Sequence, residues 1–329
     1  MKIAVVGTGG IGKTHLSNLQ AMKEAEIVSI CDVNAEAETL AKELGAAYDT
    51  DYKVMLAHTA ADVVLICTPT FLHGEQVRAT LEAGKHCICE KPLCLSAEEA
   101  KALFALAKQR GLLLLVAHVL HFWEEYAALA QMVKENRYGA VLDASFARLT
   151  ERPAWTSTGW LFDKSKSGLI PFDLHIHDLY YVIGLLGKPH IGYVQSGGQA
   201  EENHQDYLRV CYEYPRTTVC VEASWYRAPI PFAQRFRVYF ERAVAEYDGN
   251  QLMLYEAGQP VRNFSEGINK EGIHTSINVA PTMAYLRELE HFFDCIRQGK
   301  PSWIVPEEQV LAALETLESL GKPMDLAAE

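Results

Sequence analysis

The chain is short of positive charge: 30 Lys and Arg stand against 42 Asp and Glu, a formal net charge of −12 at pH 7. A surface that acidic repels phosphate backbones and anionic lipid, so neither nucleic acid nor a membrane is expected as a partner. Long apolar runs are also lacking. Residues 112–119 come nearest, but His118 interrupts them and the run is far too short to cross a bilayer. Met1-Lys2-Ile3-Ala4-Val5-Val6-Gly7 enters a strand pattern at once, so no cleavable leader is expected. Eight cysteines, at 31, 67, 87, 89, 94, 211, 220 and 295, show no scaffold or metal-site rhythm. Reduced thiols, a cytoplasmic location and no metal are the expectation. Internal repeats, low-complexity tracts and flexible linkers are missing too.

What is present is an ordinary globular chain of 329 residues, 49% hydrophobic and 22% charged, with a mean hydropathy of −0.04. That length suggests about two domains. Up to residue 120, short apolar runs at 3–6, 27–31, 63–67, 87–89 and 112–117 alternate with helical stretches such as 34–44 and 96–110. Gly45 and Gly111 stand where helix C-caps belong, and Ser96 with Glu99 makes a capping box. The runs are too apolar to alternate between a wet and a dry face, which predicts parallel strands covered by helices on both sides. Residues 1–120 therefore read as a doubly wound α/β domain. Beyond it, helix patterns at 122–136 and 173–186 flank a strand at 141–149. Runs at 207–214, 217–225 and 236–239 with partial period two predict an open, mostly antiparallel sheet. Helices at 281–298 and 306–320 close an α+β domain over 121–329, and these last helices are candidates to pack back on the first domain.

Gly7-Thr8-Gly9-Gly10-Ile11-Gly12 is a G-x-G-x-x-G string directly after the first strand and opening a helix. Gly7 permits the tight turn, Gly9 lets a pyrophosphate approach, and Gly12 lets helix pack on strand. Asp32 ends the second strand twenty residues later, where an acid accepts from ribose hydroxyls. Val33 and Asn34 follow with no arginine for a 2′-phosphate, so the pattern favours NAD over NADP.

Two further strand ends face the same crevice. The fourth carries Thr68-Pro69-Thr70-Phe71-Leu72-His73 and the fifth Glu90-Lys91-Pro92. With the glycine loop, the T-P-x-x-x-H and Glu-Lys-Pro segments, and Asp173-Leu174-His175-Ile176-His177-Asp178 beyond them, the chain resembles the Gfo/Idh/MocA family of NAD(P)-dependent sugar and inositol oxidoreductases. The likeness in motif order runs from residue 3 to about 186. It implies a Rossmann domain and a substrate domain, with Lys91, Asp173 and His177 as the catalytic trio. The chemistry wants the same residue types. Hydride can leave a secondary alcohol carbon only as the hydroxyl proton departs, and histidine suits that proton. An ammonium stabilises the developing oxyanion, and a carboxylate orients the substrate or the lysine.

The resemblance also places Thr68, Pro69, His73, Glu90 and Lys91 at the cofactor. His121, Trp123, Trp160 and His175 are substrate-side candidates, with Trp155 and Asp163 in the loop around Trp160. It implies a sugar or polyol substrate, and a homodimer or homotetramer packed through the apolar outer face of the second sheet. Ser167-Gly168-Leu169-Ile170-Pro171 departs from the run of glycines common before the Asp, and His175 stands where a small residue is usual. Two other readings fit the same motifs: an epimerase or elimination-type glycosidase that recycles bound NAD, and a ligand sensor on the same fold.

Overall fold

The computed structural model describes residues 1–154, 156, 159–198, 206–266 and 272–320. The chain divides into two compact units. The first comprises Met1–Cys94, Glu98–Glu124 and Ile268–Glu307; the second comprises Leu95–Ala97, Glu125–Gly267 and Glu308–Glu329.

In the first unit the unalternating apolar runs become strands buried on both faces. All of Val63–Ile66 is buried, as is every residue of Lys2–Val6 except the lysine. The elements run β1 (Lys2–Val6), α1 (Gly10–Ala21), β2 (Glu26–Cys31), α2 (Glu36–Leu44), β3 (Ala47–Asp49), α3 (Tyr52–His58), β4 (Val63–Ile66), α4 (Thr70–Glu82), β5 (His86–Glu90), α5 (Ala97–Arg110) and β6 (Leu114–Ala117). A 3-10 turn, Val119–Phe122, follows. The six strands are parallel in the order β3-β2-β1-β4-β5-β6. Chain order reverses between β1 and β4, and at such a switch point the carboxyl ends of the strands open a crevice for ligand. β3 and α3 carry little sequence signal. The first is three residues long, and the second starts from Asp51, whose side chain accepts from the Lys53 and Val54 amides at 2.7 and 3.2 Å.

The second unit holds α6 (Glu124–Lys134), β7 (Val141–Glu151), α7 (Lys164–Ser167), a π-helical turn (Pro171–His175), α8 (Ile176–Leu186) and β8 (His190–Gly197). Then come β9 (Tyr207–Tyr214), β10 (Thr217–Tyr226), β11 (Ala233–Phe240), β12 (Ala243–Tyr247), β13 (Leu252–Glu256) and β14 (Arg262–Asn263). Helix α9 (Ala284–Gln298) belongs to the first unit, where it packs on α1, and α10 (Glu307–Leu320) mostly to the second. The eight-stranded sheet has the order β14-β13-β12-β11-β7-β10-β9-β8 and is antiparallel except for β7 with β10. Its inner face buries Tyr212, Val219, Val221, Phe236 and Val238.

The outer face is not the apolar surface expected of it. It pairs Arg209 with Glu222 and Arg237 with Glu246, and it exposes Tyr193, Tyr239 and Tyr255. The thiol expectation also needs correcting. Cys211 and Cys220 stand opposite each other in the β9–β10 register and are joined as a disulfide, while the other six cysteines are free and buried. The hairpin creates that pair: its turn is Pro215-Arg216, and period-two geometry then puts the two cysteines on one face. No helix among the described residues is long and apolar enough to cross a membrane.

Candidate active site

Backbone geometry accounts for the glycine loop. Gly7 has φ +90°, and a Cβ there would lie 2.7 Å from the Cys67 carbonyl oxygen. A Cβ on Gly12 would lie 2.1 Å from the Gly7 carbonyl oxygen, so only glycine lets α1 start so close to β1. At Gly9 a Cβ would meet nothing within 4 Å. The helix N-terminus is therefore open where a pyrophosphate would lie, and the cradle fits a dinucleotide. Gly10 has a different duty, since a Cβ there would meet the Ser276 carbonyl oxygen at 2.8 Å.

Asp32 closes the loop. One carboxylate oxygen accepts from the Thr8 amide at 2.6 Å and the Thr8 hydroxyl at 2.8 Å; the other accepts from the Asn34 amide at 2.8 Å. Tyr48 donates to the Asp32 and Asn34 carbonyls, which fixes the chain that carries the acid. Val33 is almost fully exposed beside it.

The carboxyl ends of β4, β5 and β6 bring a second group together. His73 is buried, with Nδ1 at 2.8 Å from the Pro92 carbonyl oxygen and Nε2 at 2.8 Å from that of Thr68. It is a strut between two loops, and burial lowers its pKa. Thr68 donates its hydroxyl to Gln76 at 2.6 Å, and Pro69 precedes the first residue of α4. Glu90 is buried at the end of β5: Oε1 lies 2.7 Å from His15 Nε2, and Oε2 accepts from the Lys91 amide at 3.1 Å. Lys91 follows on a cis peptide to Pro92. Its ammonium is felt at His118, at the end of β6. Burial, then His121 and then Lys91 hold that imidazole neutral, with its pKa well below the usual value. Burial pushes His121 down to about 4. His121 lies in the 3-10 turn and Trp123 closes it.

In the second unit the local sequence builds an unusual helix start. Gly168 (φ +71°) and Leu169 (φ +61°) are both left-handed, and a Cβ on Gly168 would collide with the Phe172 ring. Leucine in that region carries strain of about 1–2 kcal/mol, held here by complete burial of its side chain. Pro171 then opens a π-helical turn where a plain α-helix from Asp173 is expected from the sequence. Such turns often mark functional sites. From 173 to 183, Asp173 and His177 are the two residues that are not buried. Asp178 is fully buried in a bidentate pair with Arg148 at 2.9 and 3.2 Å, and Arg148 also donates to Gln234. That pair locks α8 to the sheet and so sets the rotation that turns Asp173 and His177 outward.

His175 is a core group. It is fully buried, its Nε2 lies 2.7 Å from the Tyr212 hydroxyl, and burial lowers its pKa to about 3. Its position favours packing over substrate contact. Trp160 is half-buried at the start of a short 3-10 turn, and Trp155 lies outside the described residues. Asp163 caps α7.

Sequence reasoning missed His15, Glu288, Ser276 and the part His118 plays. His15 sits three residues past Gly12 and is fully buried against Glu90. Its only signal was a histidine on the buried face of the first helix. Ser276 and Glu288 come from the end of the chain and reach α1 only through the fold; the Ser276 amide donates to Thr14 at 2.9 Å. Among the described residues no group of three or more His, Cys, Asp and Glu side chains is placed to hold a metal.

A parallel sheet with its glycine loop and acid at one switch point, joined to a broad mixed-sheet unit, defines a two-domain nucleotide-dependent oxidoreductase. Models of both domains of one family match: the oxidoreductase family's NAD-binding Rossmann fold over residues 1–118, and the Gfo/Idh/MocA C-terminal domain over 126–246. The chain belongs to the Gfo/Idh/MocA family, and NAD is the cofactor its first domain binds. It is similar to the UDP-N-acetylglucosamine 3-dehydrogenase of Acidithiobacillus ferrooxidans, 27% identical with 95% of each chain covered. It is likewise similar to the D-glucoside 3-dehydrogenase of Escherichia coli, 28% identical over 99% of this chain and 97% of the relative. A levoglucosan dehydrogenase solved with NADH and levoglucosan shares the fold, with a TM-score of 0.82 at 21% identity, covering 97% and 95% of the two chains.

Proposed function

We propose that the protein moves a hydride between NAD and a ring carbon of a sugar, polyol or cyclitol, interconverting a secondary alcohol and a ketone. The observation that carries the reading is the pair Asp173 and His177, the two residues between 173 and 183 that are not buried. His177 exchanges the hydroxyl proton. Lys91 hydrogen-bonds the substrate oxygen and stabilises its developing charge, and Asp173 orients a hydroxyl or the lysine. NAD supplies the hydride acceptor. On this chain the glycine loop, Thr8 and Asp32 would hold it, with Thr68 and Pro69 at the neighbouring strand end. His121, Trp123 and Trp160 are the substrate-side candidates. A sugar substrate is supported by the names of the relatives, and a second copy of the chain would dock on the tyrosine- and arginine-bearing outer sheet face.

The test is the absorbance of reduced nicotinamide with NAD, and separately NADP, across inositols, aldoses, sugar acids and simple glycosides. Growth with NAD on one substrate class, lost in both Lys91→Ala and His177→Ala, is the expected result. Silence across the panel, with NAD released from the purified protein only on denaturation, would overturn it in favour of internal redox recycling.

A further inference from the structure

Helix α9 brings a carboxyl group into the first unit that the proposed chemistry does not use. Glu288 is fully buried, and neither of its oxygens has a hydrogen-bond partner among the described residues. An ionised carboxylate in that setting is strongly disfavoured, and a single proton removes its charge. Two titratable groups interact with it, Glu90 from β5 and Cys67 from β4. Glu90 charge raises Glu288, and both acids raise the Cys67 thiol, burial being the larger cause each time. His15 stands edge-on to Tyr285, one turn before Glu288, with ring centroids 5.6 Å apart.

The two acids are not equivalent. Glu90 has a donor on each oxygen, His15 on one and the Lys91 amide on the other, whereas Glu288 has none. Two carboxyl groups in one buried region do not both ionise, and the charge settles where the donors are. We propose that His15, Glu90 and Glu288 form a positioning unit for Lys91, in which Glu90 is ionised and Glu288 holds a proton. The inference rests on the reading of Lys91 as a catalytic residue. His15 Nε2–H anchors the Glu90 carboxylate to α1, and the carboxylate holds the Lys91 amide. Neutral Glu288 lets α9 close over the unit without drawing the proton onto Glu90. The imidazoles of His73 and His118 also lie within the field of Lys91, and burial lowers the pKa of each.

Two measurements test this without turnover. Infrared spectra of the full chain at pH 7 are expected to show the carbonyl stretch of a protonated carboxyl that is absent in Glu288→Gln and retained in Glu90→Gln. No such band in the wild type, or one that disappears in Glu90→Gln instead, would overturn the assignment. The rate of Lys91 acetylation at one fixed pH, read by mass spectrometry, is expected to change several-fold in Glu90→Gln and to return in Glu90→Asp. An unchanged rate sinks the link to Lys91. If both results hold while no substrate is ever turned over, the dehydrogenase reading fails and the buried unit stands.

Discussion

A residue's chemistry here depends on which side of the chain it faces. His175 and His177 are two apart, but one is sealed against Tyr212 and the other is accessible. The buried ring has a pH signature. Its pKa falls from 6.5 to about 3 on folding, so between those values the unfolded chain binds more protons than the folded one. Stability is then full above pH 6.5 and is lost as pH falls toward 3, at about 1.4 kcal/mol per unit for this one group. In His175→Leu, denaturant melts from pH 7 to 4 are expected to show that slope reduced by about this amount. A cost of about 1 kcal/mol at neutral pH should accompany it, from the Tyr212 hydroxyl left without its partner. An unchanged slope would mean the ring is charged or exposed. The identity of His177 as the accessible histidine was legible in the sequence, because i, i+4 spacing pairs it with Asp173. The burial of His175 was only half legible, since i, i+2 separates the two rings without saying what lies on the other side.

Elements are held by contacts that the local sequence does not announce. Helix α8 is oriented by Arg148 on β7, 30 residues before Asp178, in a pair with no solvent access. Asp178→Ala would strand that guanidinium in the core and should cost about 3–5 kcal/mol. Calorimetry would show it as a large fall in Tm. Arg148→Met with Asp178→Leu, which removes both charges, is expected to recover most of the loss. A single variant that melts like the wild type would show that the pair does not fix α8. The β-branched strands, the capped helices and the glycine loop could all be read directly, because each follows from side-chain period or backbone sterics within a few residues. The π-helical turn could not. It depends on a left-handed Leu169, which is tolerable only because the second unit buries that side chain.

Across the whole molecule, ligand binding reports on the units. NAD held by the Gly7–Gly12 loop and Asp32 should raise Tm as it binds the folded chain alone, by about 2.7 kcal/mol of stability at a hundredfold excess over Kd. NADP at the same concentration is expected to give less, because Asp32 offers its 2′-phosphate a negative charge. In Asp32→Asn the gap between the two cofactors should narrow, while Thr8 loses a charged acceptor. Equal shifts in the wild type would refute the NAD preference. The net charge of −12 works in the same direction, since NADP carries the additional charge of its 2′-phosphate.

By itself the sequence determined the alternation of strand and helix, the parallel sheet, the dinucleotide loop with its acid, and the candidates Lys91, Asp173 and His177. The first three rest on spacing along the chain or on a backbone angle that glycine alone supplies, and the candidates on the motifs that resemble the family's. Tertiary structure decided what spacing cannot encode. Cys211 met Cys220 through hairpin register, and α9 brought Glu288 nearly 200 residues along the chain to Glu90. The outer sheet face proved charged and tyrosine-bearing, because period two in β9–β12 shows that the faces differ but not which neighbour each will meet. Burial, hydrogen-bond partners and the resulting proton positions depend on groups far apart in sequence, and only the folded chain sets them.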